Sequence, residues 1–426
     1  MNKKEAIRFA GEVSIRKLEL ISSSNAKVDI TNQLIGIEMY EDIFSPFITM
    51  AISVRESLDF INALPLRGEE ILNVEIATPT FTDKDKVIKD RFYVYKLSDR
   101  QLLTDRNSAY TLHVISYEAM IDLNMKQSKA YSGNISEIAK LFFKTDGFST
   151  LKNTIVEPTK NSTKYISNYW SPVKNLNFLT TSALNKNNSP SYLFFENRSG
   201  FNFVSLDTLY DQAVYQKFYN DNYVRDTLQD GKAYKNIERE YQRVLEMKTD
   251  VTFDSLKHIN KGTYASRVYS YDLVKKKYYA KDYTALDEFP ILNHLNKYAL
   301  YGQAKPVSPI NLIFNETRHY AAHDGYPDTS NVSFMQRRNH LINSIRTSVV
   351  EITVFGRTDY TVGQKIYLEV PKPASIHKQD TMDTNNKNGV IDSMHSGNYI
   401  ITAINHVINR DKHTCVMELS KESMIG

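Results

Sequence analysis

The sequence has a single cysteine, Cys415, in 426 residues. This excludes an intrachain disulfide, a zinc cluster built from several thiolates and a dithiol redox motif. Glycine is scarce at 15 residues, which leaves little for phosphate-cradling loops. No run of about 18 apolar residues occurs, so a bundle of membrane-crossing helices is excluded. Met1-Asn2-Lys3-Lys4-Glu5 leads into no apolar core, because Arg8, Glu12 and Arg16 interrupt it; a secretory signal is not expected. Neither charge sign dominates. The 53 basic and 49 acidic residues leave +4, too little over this length to argue for nucleic-acid binding.

Aromatic side chains are plentiful at 12%, with 28 Tyr, and these residues favour strands and packed interfaces. With 41% hydrophobic and 24% charged residues, the chain reads as globular, with length for about three domains. The composition points to a β-rich assembly component made in a reducing compartment.

Period-two alternation dominates the first part. Ile48, Met50, Ile52 and Val54 alternate with polar or small residues, as do Leu72, Val74 and Ile76, and Tyr110, Leu112 and Val114. Each run reads as a strand with one buried face. A short helix is expected from Ser57 to Ala63, stopped by Pro65 and Gly68. The period then changes. Asn134 can cap a helix whose Ile138, Leu141 and Phe142 share a face. Ser171-Pro172 predicts the start of another, buried through Leu176, Leu179 and Ala183. Tyr192–Glu196 and Phe201–Ser205 predict a hairpin turning at Asn197-Arg198-Ser199-Gly200. The last part returns to strands: Tyr264–Asp272 with Lys277–Tyr283, Val350–Val354, Ile366–Val370, Tyr399–His406 and Cys415–Leu419. Between them, Leu286 to Asn331 is irregular and Met335–Ile345 reads as a helix.

The two ends resemble each other. Gly68-Glu69-Glu70-Ile71 and Gly363-Gln364-Lys365-Ile366 each follow one strand, lead into a second and precede two more around a polar turn. Those turns hold Asp105-Arg106-Asn107 and Arg410-Asp411-Lys412, and the final strands end in Ser116-Tyr117-Glu118 and Ser420-Lys421-Glu422. Gly to Ser spans 48 residues in the first copy and 57 in the second, the excess lying in the loop from Pro371 to Gly397. A duplication has a physical use: three copies of a chain with two similar domains offer six similar units in a ring.

Five segments in order carry a family resemblance: Tyr169-Trp170-Ser171-Pro172 with its helix; Tyr192-Leu193-Phe194-Phe195-Glu196 with Gly200-Phe201-Asn202-Phe203; Gly262-Thr263-Tyr264 with Ser266-Arg267 and Tyr271-Asp272; Gly356-Arg357-Thr358-Asp359 with Val362-Gly363; and Ser396-Gly397-Asn398-Tyr399 with His406. From about Phe9 to Ser423 the chain resembles the baseplate central hub proteins of contractile-tailed, myovirus-like bacteriophages, which are related to the N-terminal part of type VI secretion spike proteins. The chain reads as ending directly after the second barrel, which favours a free-standing hub over a secretion spike.

The resemblance implies a mainly β fold with α+β: two tail-tube-like antiparallel β-barrel domains around an α+β middle domain. The first barrel is expected at residues 1–122 and the middle domain at 123–252. The second barrel is expected at 253–284 and 346–426, with 285–345 an irregular and helical excursion. It further implies a homotrimer that adapts a six-fold tail tube to a three-fold central spike and encloses a channel for DNA passage. Its partners would be the spike, the tube or a tube-initiator protein and the surrounding wedge proteins, with DNA only as transiting cargo and no membrane. Its place would be the virion tail baseplate, after synthesis in the host cytoplasm. A basic lumen would stall a polyanion, so the lumen is expected to be neutral or acidic.

No enzyme, cofactor or metal is expected. His319 and His323 could share a helix face and bind zinc, but Tyr320 stands where a metalloprotease needs Glu. Asp383 to Gly389 imitates a calcium loop with Asn388 where the Gly should be. Gly231-Lys232-Ala233 lacks the rest of a phosphate loop. Glu69 and Glu70 are adjacent, so in a strand they would point apart rather than flank one glycosidic bond. Cys415 reads as a buried inert thiol. Trp170 fits a plug between the first barrel and the middle domain, or an exposed binding platform. The tyrosines at 264, 269, 271, 278, 279 and 283 fit a subunit interface or an ordinary sheet surface equally. A cell-wall or polysaccharide hydrolase, a host-surface binding module and the hub part of a secretion spike are the competing functions.

Overall fold

A computed structural model describes residues 7–57, 66–81, 86–104, 107–220, 237–272, 276–301, 313–316, 333–372 and 391–425. The N-terminal part forms β1 (Ser14–Ile21), β2 (Lys27–Asp29), β3 (Leu34–Asp42), β4 (Thr49–Glu56), β5 (Ile71–Ala77), β6 (Val87–Thr104) and β7 (Asn107–Ser116). They lie in the order β3-β4-β7-β6-β5-β1-β2. The alternation read from the sequence sets their faces: Met50, Ile52 and Val54 of β4, Leu72, Val74 and Ile76 of β5, and Tyr110, Leu112 and Val114 of β7 are all buried. They join Leu18, Leu20, Ile37, Met39, Phe92 and Val94 in one core to which no α-helix among the described residues contributes.

The middle part holds β8 (Ala130–Asn134), β9 (Thr154–Val156), β10 (Ser162–Ile166), β11 (Tyr192–Asn197) and β12 (Gly200–Ser205). The expected hairpin is β11–β12, turning at the expected residues, and β9 joins it in parallel. Both expected helices form. Asn134 accepts a hydrogen bond from Ser136 N at 3.0 Å to start Ile135–Phe143. Ser171 Oγ accepts one from Lys174 N at 3.4 Å to start Pro172–Ser182. Phe142, Phe143, Phe148, Phe201 and Phe203 fill the core between them.

The remaining strands are β13 (Gln216–Tyr219), β14 (Val244–Val251), β15 (Ala265–Asp272), β16 (Lys277–Thr284), β17 (Tyr298–Ala299), β18 (Ile313–Glu316), β19 (Ser348–Phe355), β20 (Lys365–Glu369), β21 (Gly397–Asn409), β22 (Lys412–Lys421) and β23 (Ser423–Met424). Of these, β14-β19-β22-β21-β20-β13 are successive neighbours in one ladder. Set beside β3-β4-β7-β6-β5-β1, every position has a counterpart. The backbone repeats it in detail: Val94 N donates to Glu70 O at 2.9 Å, and Ile401 N donates to Gln364 O at 3.0 Å. This makes Glu70 and Gln364 equivalents, one residue out of step with the match of Gly68 to Gly363. One ladder differs, since β1–β5 is antiparallel and β13–β20 is parallel.

The strands read from the sequence form, but others join them and their allocation differs. Strands β13 and β14 arise from the span read as middle domain, yet they complete the C-terminal sheet. Strands β15 and β16 pair with each other as expected, then join β18 in a separate three-stranded sheet. Hydrophobic alternation gives a strand its two faces and does not say which sheet it enters. The helix Met335–Ser344 forms as expected and sends Leu341 into the C-terminal core, beside Leu193, Phe195 and Val204 of the middle hairpin. The expected helix at Ser57–Ala63 and the polar turn at Asp105-Arg106 lie largely outside the described residues.

The two halves are parts of one 13-stranded sheet, joined where β21 pairs with β3. Ile408 of β21 crosses the joint and is fully buried in the N-terminal core. Ile408→Ala is therefore expected to cost about 2–5 kcal/mol, read as a lowered urea midpoint of the purified chain.

Candidate assembly interface and the joints behind it

Strand β21 has two partners on one side. Gly397–Ile400 pair with β20, and Ala403–Ile408 pair with β3 from Asp42 to Ile37. Between them the ladder to β22 bulges at Ile401–Ala403, and Thr402 O accepts from Ile43 N at 3.0 Å. The bulge lets one strand serve two neighbours.

The counterpart of β21 is β6, and it is only half used. Val87–Tyr93 pair with β5, while the far half of β6, from Lys96 to Thr104, pairs only with β7 among the described residues. Tyr95, Leu102 and Leu103 are exposed there, Leu102 at 80%. The counterpart of β3 is β14, whose only ladder among the described residues is to β19. Its Glu246, Lys248 and Asp250 are exposed. The far half of β6 carries Lys96, Asp99 and Arg100, so both edges alternate in sign. Open edges with apolar residues on them are templates for further pairing. Among the described residues the equivalents of the two sides of the internal joint are thus open, one on β14 at the end of the sheet and one on the far half of the inner strand β6.

Two buried polar joints fix the middle domain against both halves. At the first, Lys152 Nζ lies 2.7 Å from Asp90 of β6, 3.0 Å from Glu118 and 2.5 Å from Glu196 of β11. Glu196 also accepts from Ile48 N at 3.0 Å. Burial opposes the lysine charge, but the three carboxylates hold its pKa above the usual range. One ammonium cannot balance three carboxylates. Burial and the neighbouring Asp90 push Glu196 up to about 7, and burial raises Asp90 as well. At the second, Glu41 of β3 accepts from Thr361 Oγ1, from Val362 N at 3.3 Å and from Arg198 N at 3.4 Å. One carboxylate thereby ties β3, the loop before β20 and the β11–β12 turn, and its burial raises its pKa.

The residues weighed for chemistry fall elsewhere. Glu70 is buried and collects the backbone N–H groups of Arg67, Gly68 and Glu69, while Glu69 is exposed; the pair sits in the turn before β5. Trp170 is half-buried on the middle-domain core against Tyr165 and Phe178, under Lys174. The tyrosine cluster divides: Tyr264 and Tyr283 are buried, whereas Tyr269 and Tyr278 stack at 5.4 Å with Tyr278 exposed. Cys415 is buried in β22 as expected. His319, His323, Gly231–Ala233 and Asp383–Gly389 lie outside the described residues. A shallow hollow of about 340 Å³ lies beside Tyr117, Met120 and Met125. No described helix is long and apolar enough to cross a membrane. Sequence reasoning missed the open edges and the Lys152 and Glu41 joints. Nothing local marks a strand as half-paired or a carboxylate as buried.

No family model matches the sequence. It is 21% identical to the probable baseplate hub protein gp334 of Vibrio phage KVP40, over 97% of this chain and 94% of that one. The chain is baseplate-hub-like. Two solved structures share its fold at 8% identity and a TM-score of 0.52 each. One is a tail protein from Neisseria meningitidis MC58, with 95% of this chain and 96% of that chain covered. The other is the 43 kDa tail protein of prophage MuSo2 from Shewanella oneidensis, with 96% and 98% covered. The hub-like chain therefore matches tail and baseplate proteins as a whole, not through one shared module.

The Lys152 cluster gives a measurable pH signature. A buried carboxyl raised to about 7 favours the folded state fully below its ordinary value of 4.5 and loses that contribution as pH rises through about 7. Glu196 should make the urea midpoint fall between about pH 5 and 7. Glu196→Gln, a neutral isostere, should flatten that decline. Lys152→Met, which strands three carboxylates, should cost about 3–5 kcal/mol at pH 7.

Proposed function

We propose that this protein is a structural hub of a phage tail baseplate, assembled as a ring of three copies. The observation that carries this reading is the repeated strand order, with its matching unused edges. Inside one chain, β3 docks on the far half of β21. The equivalent contact between chains sets β14 of one copy on the far half of β6 of the next. Repeated three times it closes a ring of six similar half-sheets, and every such edge finds a strand. The ring presents near-six-fold features to the tail tube or its initiator, and true three-fold features to the central spike. Wedge proteins would surround it. The enclosed channel would pass DNA as cargo, with a neutral or acidic lumen. In this reading the chain binds and positions, catalyses nothing and acts in the virion tail after synthesis in the host cytoplasm. The likeness to gp334 over almost the full length of both chains supports it.

Light scattering of the purified chain tests the assembly. Three chains of 49.1 kDa predict a particle of about 147 kDa. Leu102→Asp with Leu103→Asp should return it to single chains with little change in thermal stability, because both side chains are exposed. A single-chain mass for the unaltered protein, alone and co-expressed with its spike, would defeat the reading. Release of soluble fragments from purified cell wall would favour the hydrolase instead.

A further inference from the structure

Beside the joint between the two half-sheets, three side chains with metal-binding atoms converge. His406 on β21 and Cys415 on β22 are register partners, and His413 lies two residues before Cys415 on the same strand face. All three are fully buried. His406 Nδ1 is 3.0 Å from His413 Nε2. Cys415 Sγ is 3.3 Å from the first of these nitrogens and 3.4 Å from the second. We propose that this triangle binds one closed-shell d¹⁰ cation, Zn²⁺ or Cu⁺, through two imidazoles and one thiolate, as a structural pin at the joint.

Hydrogen bonds fill the triangle poorly. Each inward nitrogen offers either a hydrogen or a lone pair, and the thiol offers one hydrogen. Whichever way the hydrogens are placed, at most two of the three contacts can be hydrogen bonds. A single ion serves all three donors. Metal–nitrogen bonds of about 2.0 Å and metal–sulfur bonds of about 2.3 Å set donors roughly 3.3–3.7 Å apart, so the side chains need spread only by tenths of an ångström.

The outward atom of His406 agrees, while Nδ1 of His413 is buried without a partner. With Nδ1 on the metal, His406 must carry its hydrogen on Nε2. That atom has no hydrogen-bond partner, and Glu41 Oε1, also without one, lies 3.8 Å away. A carboxylate behind a ligating histidine fixes its tautomer and orientation. The His413 ring presses on Gly356, where a Cβ would meet it at 2.3 Å, so the glycine leaves the ring its place. On binding, Cys415 releases its proton to solvent and each neutral imidazole gives a lone pair. The thiolate balances Cu⁺ fully and Zn²⁺ in part. Glu41 and Asp359 are the nearby anions, and Arg198 and Arg357 are the nearby cations. Soft thiolate and imidazole donors suit both ions and disfavour magnesium or calcium.

The site is closed to solvent, so the metal must enter during folding. The full chain would be refolded with Zn²⁺, with Cu⁺ under a reductant, or with a chelator, and then dialysed. Mass spectrometry should find about one equivalent of zinc or copper per chain, identifying which ion is held. X-ray absorption of that sample should show one sulfur and two nitrogens nearest the metal, a readout that needs no variant. The chelated protein should melt at a lower temperature. Cys415→Ser, where it folds, should lose the metal at least tenfold. No retained metal from any arm, or a shell of oxygen and nitrogen alone, would overturn the proposal.

Discussion

The ladder between Ile37–Asp42 and Ala403–Ile408 is the contact on which the rest of the architecture depends. It joins strands more than 350 residues apart in sequence and turns two half-sheets into one. Loop closure across such a distance is costly in chain entropy, so the contact needs support around it. Ile408 supplies apolar burial on one side of the seam, and Glu41 draws three segments together on the other. The histidine–cysteine triangle lies beside the same strands. Burial, polar satisfaction and the proposed metal thus concentrate where chain entropy works most strongly against the fold.

The middle domain acts as a bracket. Its hairpin contributes Leu193, Phe195 and Val204 to the C-terminal core, while Glu196, between Phe195 and the turn, reaches the Lys152 cluster at the N-terminal half. Successive strand residues face opposite ways, so one strand can serve two bodies. The result holds two similar halves in a fixed relation, as a ring built from repeated contacts requires. The ionic joint holds two more carboxyls than its one ammonium balances. The fit between the three elements comes from buried polar geometry and does not imply exceptional stability.

The repeated strand order also explains an edge that would otherwise be a hazard. A long strand such as β6, whose far half pairs on one edge only among the described residues and carries exposed leucines, invites aggregation. In the proposed ring the same edge would be covered by the strand equivalent to its internal partner. Alternating charge on both edges favours one register over slipped ones.

By itself, the sequence determined the alternating strands β4, β5, β7 and β19 to β22, the capped helices at Ser171 and Asn134, the β11–β12 hairpin and the likeness of the two ends. These follow from periods, caps and turn residues within a few positions of each other. Gly68 and Gly363 were enough to locate the duplicated turn, though one residue out of register, because a turn can differ in length while its ladder stays fixed. The tertiary structure alone decided that Gln216–Tyr219 and Val244–Val251 belong to the C-terminal sheet, and that Ala265–Thr284 does not. It alone brought Lys152 to three acids, and His406 to His413, Cys415 and Glu41. Pairing partners and buried charge are set by which segments meet after long loops close. Local pattern carries no record of that, since an alternating strand fits any sheet with one face to cover.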